Sequence, residues 1–152
     1  MQTIALASDH AGFKLKEFLK RHLQEKGYTI IDFGTTSEES CDYPDFAHPA
    51  ALAVESGECA FGIAMCGTGN GIQITLNKHQ NIRAALCWIP EIAELARQHN
   101  DANFLVLPAR FISEDLALKI MDTYLNTSFE GGRHERRIKK IPVNIPVEGE
   151  IL

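Results

Sequence analysis

The chain contains no apolar run approaching the roughly 20 residues that a membrane span requires, so no membrane partner is expected. It also lacks an excess of positive charge. Lys and Arg number 15 against 20 Asp and Glu, a formal net charge of −5. That balance argues against a general nucleic-acid binder, which must neutralise phosphates along its surface. An anionic ligand would instead have to be caught by a local cluster of Arg. Cysteine is sparse and unpatterned: the 4 residues at 41, 59, 66 and 87 form no C-x-x-C pair and no metal-ligand spacing. They read as reduced thiols of a cytoplasmic protein. The opening residues reach charge at Asp9, too early for a secretory signal. Repeats and low-complexity segments are missing.

A chain of 152 residues with 45% hydrophobic and 23% charged content suits one globular domain with a substantial core. Strand-like and helix-like stretches alternate along it. Apolar or β-branched runs at 3–7, 29–33, 61–65, 82–88 and 104–107 read as five strands. Amphipathic stretches follow each of them. One follows Ser8-Asp9-His10 and stops near Gly27. Another runs from Tyr43-Pro44 to about Glu55, with Pro49 leaving its start open. Others cover 72–78, Pro90 to about His99, and the stretch opened by Ser113. Alternation of this kind predicts a parallel sheet covered on both faces, a three-layer Rossmann-like α/β sandwich with five strands. The domain is expected to span 1–141. A last short helix falls at 133–140, and 142–152, with Pro142, Pro146 and Gly149, reads as an extended tail.

The stretch from Met65 through Cys66-Gly67-Thr68-Gly69-Asn70-Gly71 to Ile72 stands out. It joins a buried strand to a helix through three glycines in five positions. A turn of this kind exposes backbone N–H groups to an anion. The spacing is G-x-G-x-G rather than G-x-G-x-x-G, and it follows the third strand rather than the first, which weakens a dinucleotide reading. A thiol beside a helix N-terminus has its thiolate favoured. Amides next to a base suit chemistry in which a carbonyl oxygen becomes negative. The alternative is a buried packing cysteine beside an ordinary turn. Because ligands in parallel sheets sit at the carboxyl ends of strands, Asp9-His10, Cys66 to Gly71 and Arg110 should converge on one rim. Asp9 could equally cap the first helix. His99 closes a helix, where a histidine is also favoured by the helix dipole. Arg133 and Arg137, four apart, share one helix face and suit a phosphate, or else belong to a solvated helix.

These segments taken together are similar to one family. Ser8-Asp9-His10-Ala11-Gly12, Asp42-Tyr43-Pro44, Cys66-Gly67-Thr68-Gly69-Asn70-Gly71, Arg97-Gln98-His99-Asn100-Asp101-Ala102-Asn103 and Glu130-Gly131-Gly132-Arg133-His134 resemble the type B ribose-5-phosphate isomerases. Motifs of that family occur here in order over nearly the whole chain. The resemblance implies interconversion of ribose 5-phosphate and ribulose 5-phosphate through a cis-enediolate, in the non-oxidative pentose phosphate pathway, with no metal and no cofactor. Allose 6-phosphate or galactose 6-phosphate is the alternative substrate within the wider family. Residue by residue, it implies that Cys66 is the base and that Gly67, Gly69, Asn70 and Gly71 lie in the loop holding the enediolate oxygen. Thr68 would place a hydroxyl near that base, and His99 would open the sugar ring. Asp9, His10, Tyr43 and Asn100 would contact the substrate, and Arg110, Arg133 and Arg137 its phosphate. A second branch of the family uses Glu as base; Ile72 stands at that position here and cannot carry a proton, which points to the cysteine branch. The resemblance further implies a homodimer, or a dimer of dimers, with shared sites.

Two other classes remain open from the residues alone. A phosphate-binding module would leave Cys66 and His99 idle, and a cysteine hydrolase would form a covalent intermediate.

Overall fold

The computed structural model describes residues 2–143. Its strands are β1 (Thr3–Ser8), β2 (Thr29–Asp32), β3 (Phe61–Cys66), β4 (Ala84–Leu86) and β5 (Phe104–Pro108). Its helices are α1 (Phe13–Glu25), α2 (Tyr43–Glu55), α3 (Asn70–Leu76), α4 (Pro90–Asn100), α5 (Glu114–Leu125) and α6 (Arg133–Ile138). The five strands form one wholly parallel sheet in the order β2-β1-β3-β5-β4.

Alternation along the strands assigns the layers. Ile4 and Leu6, Ile63 and Met65, Leu105 and Leu107 point to one face, where residues of α1, α4 and α5 join them in a core. Ala5 and Ala7, Ala64 and Cys66, Phe104 and Val106 point to the other, against α2 and α3. Ala47, Ala50 and Ala51 let α2 lie close to that second face. The handedness of parallel crossovers dictates this division. The chain steps in one direction across the sheet from β1 to β2 and from β4 to β5, so α1 and α4 share a face. It steps the other way from β2 to β3 and from β3 to β4, so α2 and α3 share the opposite one. The expected three-layer, five-stranded parallel sandwich is what forms.

Details differ from the sequence reading. β4 occupies 84–86 rather than 82–88, and at its start side chains take up backbone groups. Asn77 donates from Nδ2 to the Ala84 carbonyl (3.0 Å) and accepts the Ala84 amide at Oδ1 (2.8 Å). Asn103 Oδ1 accepts the Arg83 amide (2.7 Å). Asn77 thus satisfies the outer edge that β4 would otherwise expose. α2 begins at Tyr43 with Pro44 in its first turn and carries Pro49 inside. Both Asp45, whose carbonyl loses its usual partner, and Pro49 itself are exposed, so water can replace the missing bond. α3 starts two residues earlier than expected, and α6 stops at Ile138. Ser113 caps α5 as expected, its Oγ accepting the Leu116 amide (3.1 Å).

The tail expected at 142–152 lies outside the described residues except for Pro142 and Val143. Val143 is held to Gln80 through both its N–H and its C=O (2.8 and 3.1 Å).

Candidate active site

The order of strands creates a crevice where the chain leaves β1 and β3 in opposite directions. Residues from both strand ends meet there. Cys66 is the last residue of β3 and is 4% exposed. Asp9 follows β1 and caps a single 3₁₀ turn over His10–Gly12, its Oδ1 accepting the Ala11 and Gly12 amides (3.0 and 3.2 Å). Asp9 thus lies on the rim but caps the turn that leads into α1 rather than α1 itself, whose N-cap Gly12 has no side-chain bond, and Oδ2 is the oxygen left for a ligand. The turn packs closely on β3: a side chain at Gly12 would meet the Met65 carbonyl at 2.7 Å.

The loop after Cys66 is shaped by two glycines. Gly69 takes φ +79°, which an L side chain rarely adopts. Gly71 has the ring of Tyr43 lying on it; a Cβ there would come within 2.7 Å of the Tyr43 hydroxyl. Tyr43 is thereby brought from the start of α2 to the loop. The Asn70 amide is taken by Thr68 Oγ1 (3.2 Å). The amides of Gly67, Thr68 and Gly69 donate to no protein acceptor among the described residues. Thr68 accepts through its hydroxyl oxygen and keeps its proton to donate. Arg110, two residues beyond β5, is tied to the same place by its own amide, which donates to the Gly67 carbonyl (3.0 Å). The Arg110 guanidinium lies about a van der Waals contact above Gly67: a Cβ built there would be 3.5 Å from Nη1.

His10 is oriented by a partner that sequence reasoning missed. Its Nδ1 accepts the Cys41 amide (3.2 Å), so the neutral ring carries its proton on Nε2 and presents it as a donor.

A second polar group forms at the other edge of the sheet. Asn103 accepts the Gly62 amide at the start of β3 (2.9 Å), whereas Cys66 ends that strand. His99 and Asn100 close α4 just before this point. At about 3.3 Å per residue, β3 alone separates the two edges by more than 10 Å. His99 stacks on His134, with ring centroids 4.3 Å apart and planes at 12°. His134 Nε2 lies 3.5 Å from Glu130 Oε2. Desolvation, His99 and Arg133 together push the His134 pKa below its ordinary value. Arg133 and Arg137 stand on α6, exposed and one turn apart. Neither they nor Arg110 pairs with a carboxylate among the described residues, unlike Arg83 and Arg97, which both hold Asp101 (3.7 and 2.8 Å). A cavity of about 360 Å³ at this edge is lined by Arg97, Asp101 and Tyr124 and does not include Cys66.

The expected residues thus fall into two groups within one chain. Asp9, His10, Tyr43, Cys66 through Gly71 and Arg110 share the carboxyl rim. His99, Asn100, Arg133 and Arg137 share the opposite edge.

Residues 4–141 match the family described as Ribose/Galactose Isomerase. The chain belongs to that family. It is 48% identical over 141 residues to ribose-5-phosphate isomerase B of Escherichia coli, covering 93% of this chain and 95% of that protein. A ribose 5-phosphate isomerase from Thermotoga maritima superposes with a TM-score of 0.91 at 55% identity, covering 93% of this chain and 97% of that one. The family member from Mycoplasma genitalium, solved with bound ribulose-5-phosphate, does so with a TM-score of 0.87 at 42% identity, covering 91% and 93%.

Among the described residues no helix is long and apolar enough to cross a membrane.

Proposed function

We propose that the chain interconverts D-ribose 5-phosphate and D-ribulose 5-phosphate, and that each catalytic centre is assembled from two copies of it. Relatives that match over nearly their whole length carry the name ribose-5-phosphate isomerase B, which favours the five-carbon substrate over a six-carbon phosphate. The observation that carries the rest is local. A buried thiol ends a strand beside backbone amides that have no protein acceptor, with an unpaired guanidinium over the same loop.

In this reading the Cys66 thiolate takes the C2 proton of the open-chain aldose and returns it to C1 on the same face. The enediolate oxygen is held by the amides of the Gly67–Gly71 loop, while the O2 proton passes to O1. The Thr68 hydroxyl stands beside this transfer as a donor. A positioned base contributes about 10²–10⁴ in rate, and loss of one oxyanion donor typically costs about 10²–10³. Asp9 Oδ2, His10 Nε2–H and the Tyr43 hydroxyl bind sugar oxygens. Ring opening needs separate proton handling, assigned to His99, with Asn100 beside it. Arg110, Arg133 and Arg137 hold the phosphate, and binding of that unreacting end orients the reacting one. His99, Asn100, Arg133 and Arg137 reach Cys66 from a second copy related by a two-fold axis. Carbohydrate metabolism in the cytoplasm is the setting this reading assigns to the protein.

Incubation with ribose 5-phosphate in deuterated water tests the activity. Ribulose 5-phosphate is the expected product, with deuterium at C1 in the fraction of turnovers in which the Cys66 S–H exchanges with solvent before the proton is returned. Absence of any ketose would contradict the proposal, and a trapped covalent Cys66 adduct would favour a hydrolase.

A further inference from the structure

His99, Glu130 and His134 are drawn together from two segments of the chain. The Glu130 amide donates to the Gln98 carbonyl (3.1 Å), which ties the segment before α6 to the end of α4. Gly131 and Gly132, with φ of +72° and +59°, turn the chain so that Glu130 and His134 face the same way. One ligand atom from each of the three residues lies within 4.8 Å of the others. Two imidazoles and a carboxylate form the donor set of an open, three-ligand zinc centre. At metal–ligand distances of about 2.0–2.1 Å, tetrahedral donors stand about 3.3 Å apart, and the 3.5 Å between His134 Nε2 and Glu130 Oε2 is already close to that. The stacked rings aim their nitrogens side by side rather than at a common point. A chelate requires the partly exposed His99 ring to turn about χ2 while buried His134 stays in place. The exposed Glu130 carboxylate supplies the negative charge that offsets Arg133 next to it.

We infer that His99, Glu130 and His134 form a binding site for a divalent cation of zinc type, and that its occupancy arrests ring opening by taking the lone pair of His99. The second half of this statement rests on the role proposed for His99; the first half does not. The ion plays no part in the isomerisation itself and acts as an inhibitor of it.

Equilibrium dialysis of the full-length protein against Zn²⁺ near neutral pH tests the site. One Zn²⁺ per chain is expected. Loss of an outer-shell partner alone usually weakens a metal site about 10–100-fold, so Glu130→Gln and His134→Asn should each weaken binding at least about tenfold. Glu130 is exposed and outside the catalytic set, so Glu130→Gln should keep its turnover of ribose 5-phosphate and resist Zn²⁺ inhibition. Cys66→Ala and Cys41→Ser should bind Zn²⁺ as the parent does, which separates this site from thiol ligation. No retained Zn²⁺, or retention unchanged in both the Glu130→Gln and His134→Asn proteins, overturns the site. Zn²⁺ bound in the parent and lost in Glu130→Gln, with turnover of the parent unaffected, upholds the site and instead contradicts the role given to His99.

Discussion

Cys66 closes β3 at the carboxyl edge of the sheet, while His99 sits in the last turn of α4 at the opposite edge. A single chain therefore holds the proposed base and the proposed ring-opening group at opposite edges of the sheet, separated by the length of β3. The two edges carry complementary equipment: amides, thiol and Arg110 on one, imidazole and two arginines on the other. A two-fold dimer can bring one edge of each copy to the other edge of its partner.

Cys66→Ala should abolish isomerisation while leaving the fold and phosphate binding intact. The side chain is small and buried, Ile72 is wholly buried and carries no proton, and no second base stands in the loop. A loss on the order of 10²–10⁴ in kcat is expected from removal of a positioned base. Cys41→Ser, Cys59→Ala and Cys87→Ala should keep their activity. Turnover within tenfold of the parent in Cys66→Ala would remove the thiol from the mechanism.

Arg137→Ala should act mainly on KM for the phosphorylated sugar, with a smaller fall in kcat to the extent that phosphate anchoring orients the substrate. Arg133→Ala should behave similarly. Both guanidiniums are exposed and unpaired among the described residues, so their removal should leave the melting temperature almost unchanged. Steady-state kinetics on the single and double variants check this. Parent-like kinetics in the double variant would return α6 to an ordinary solvated helix.

Asp32 is an acid-sensitive point of the fold. Lys16, fully buried on α1, reaches it at 2.6 Å, and Lys20 at 3.0 Å. Burial alone would raise the Asp32 carboxyl, but hydrogen bonds from Lys16, the Gly34 amide and Lys20 outweigh it and hold the pKa below its ordinary value. The resulting stability is present above the unfolded carboxylate pKa, about 3.9. It is lost as pH falls through the lower folded value. At neutral pH Asp32→Asn should cost about 3 kcal/mol, the low end for breaking a buried pair, because Glu17 still reaches Lys16 at 2.9 Å. That corresponds to a fall in Tm of roughly 6–12 °C. Thermal melts at pH 7 and below pH 3.5 should show the gap between parent and variant closing in acid; a gap independent of pH would refute the assignment.

Much of this architecture was legible because apolar period and turn residues speak directly to backbone form. Five apolar runs gave five strands, and Gly27, Ser113 and the Gly67–Gly71 loop sit where their chemistry requires. The carboxyl-end rule placed Asp9, Cys66 and Arg110 together without any coordinates. β4 begins later than its apolar run because the Asn103 and Asn77 side chains take the Arg83 amide and the Ala84 backbone groups, which no periodicity reports. Lys16 is fully buried against Asp32, a contact that the helical pattern of α1 does not announce. His10's tie to the Cys41 amide joins residues 31 apart, and the His99–His134 stack joins residues 35 apart; neither leaves a trace in local pattern. Glu130 and His134, four apart around two glycines, were the available signal for the second cluster.

The shared site is tested most directly by mixing subunits. Cys66→Ala and His99→Asn proteins are each expected to be inactive or impaired alone. If each centre takes Cys66 from one copy and His99 from the other, a mixed dimer has one doubly damaged centre and one intact centre. Random exchange makes about half of the dimers mixed, so about a quarter of all centres regain the parent arrangement. Activity on ribose 5-phosphate should then rise to about a quarter of the parent value once exchange is complete. Activity no higher than the average of the two separate variants, with exchange verified by mass-tagged subunits, would contradict a centre built from two chains.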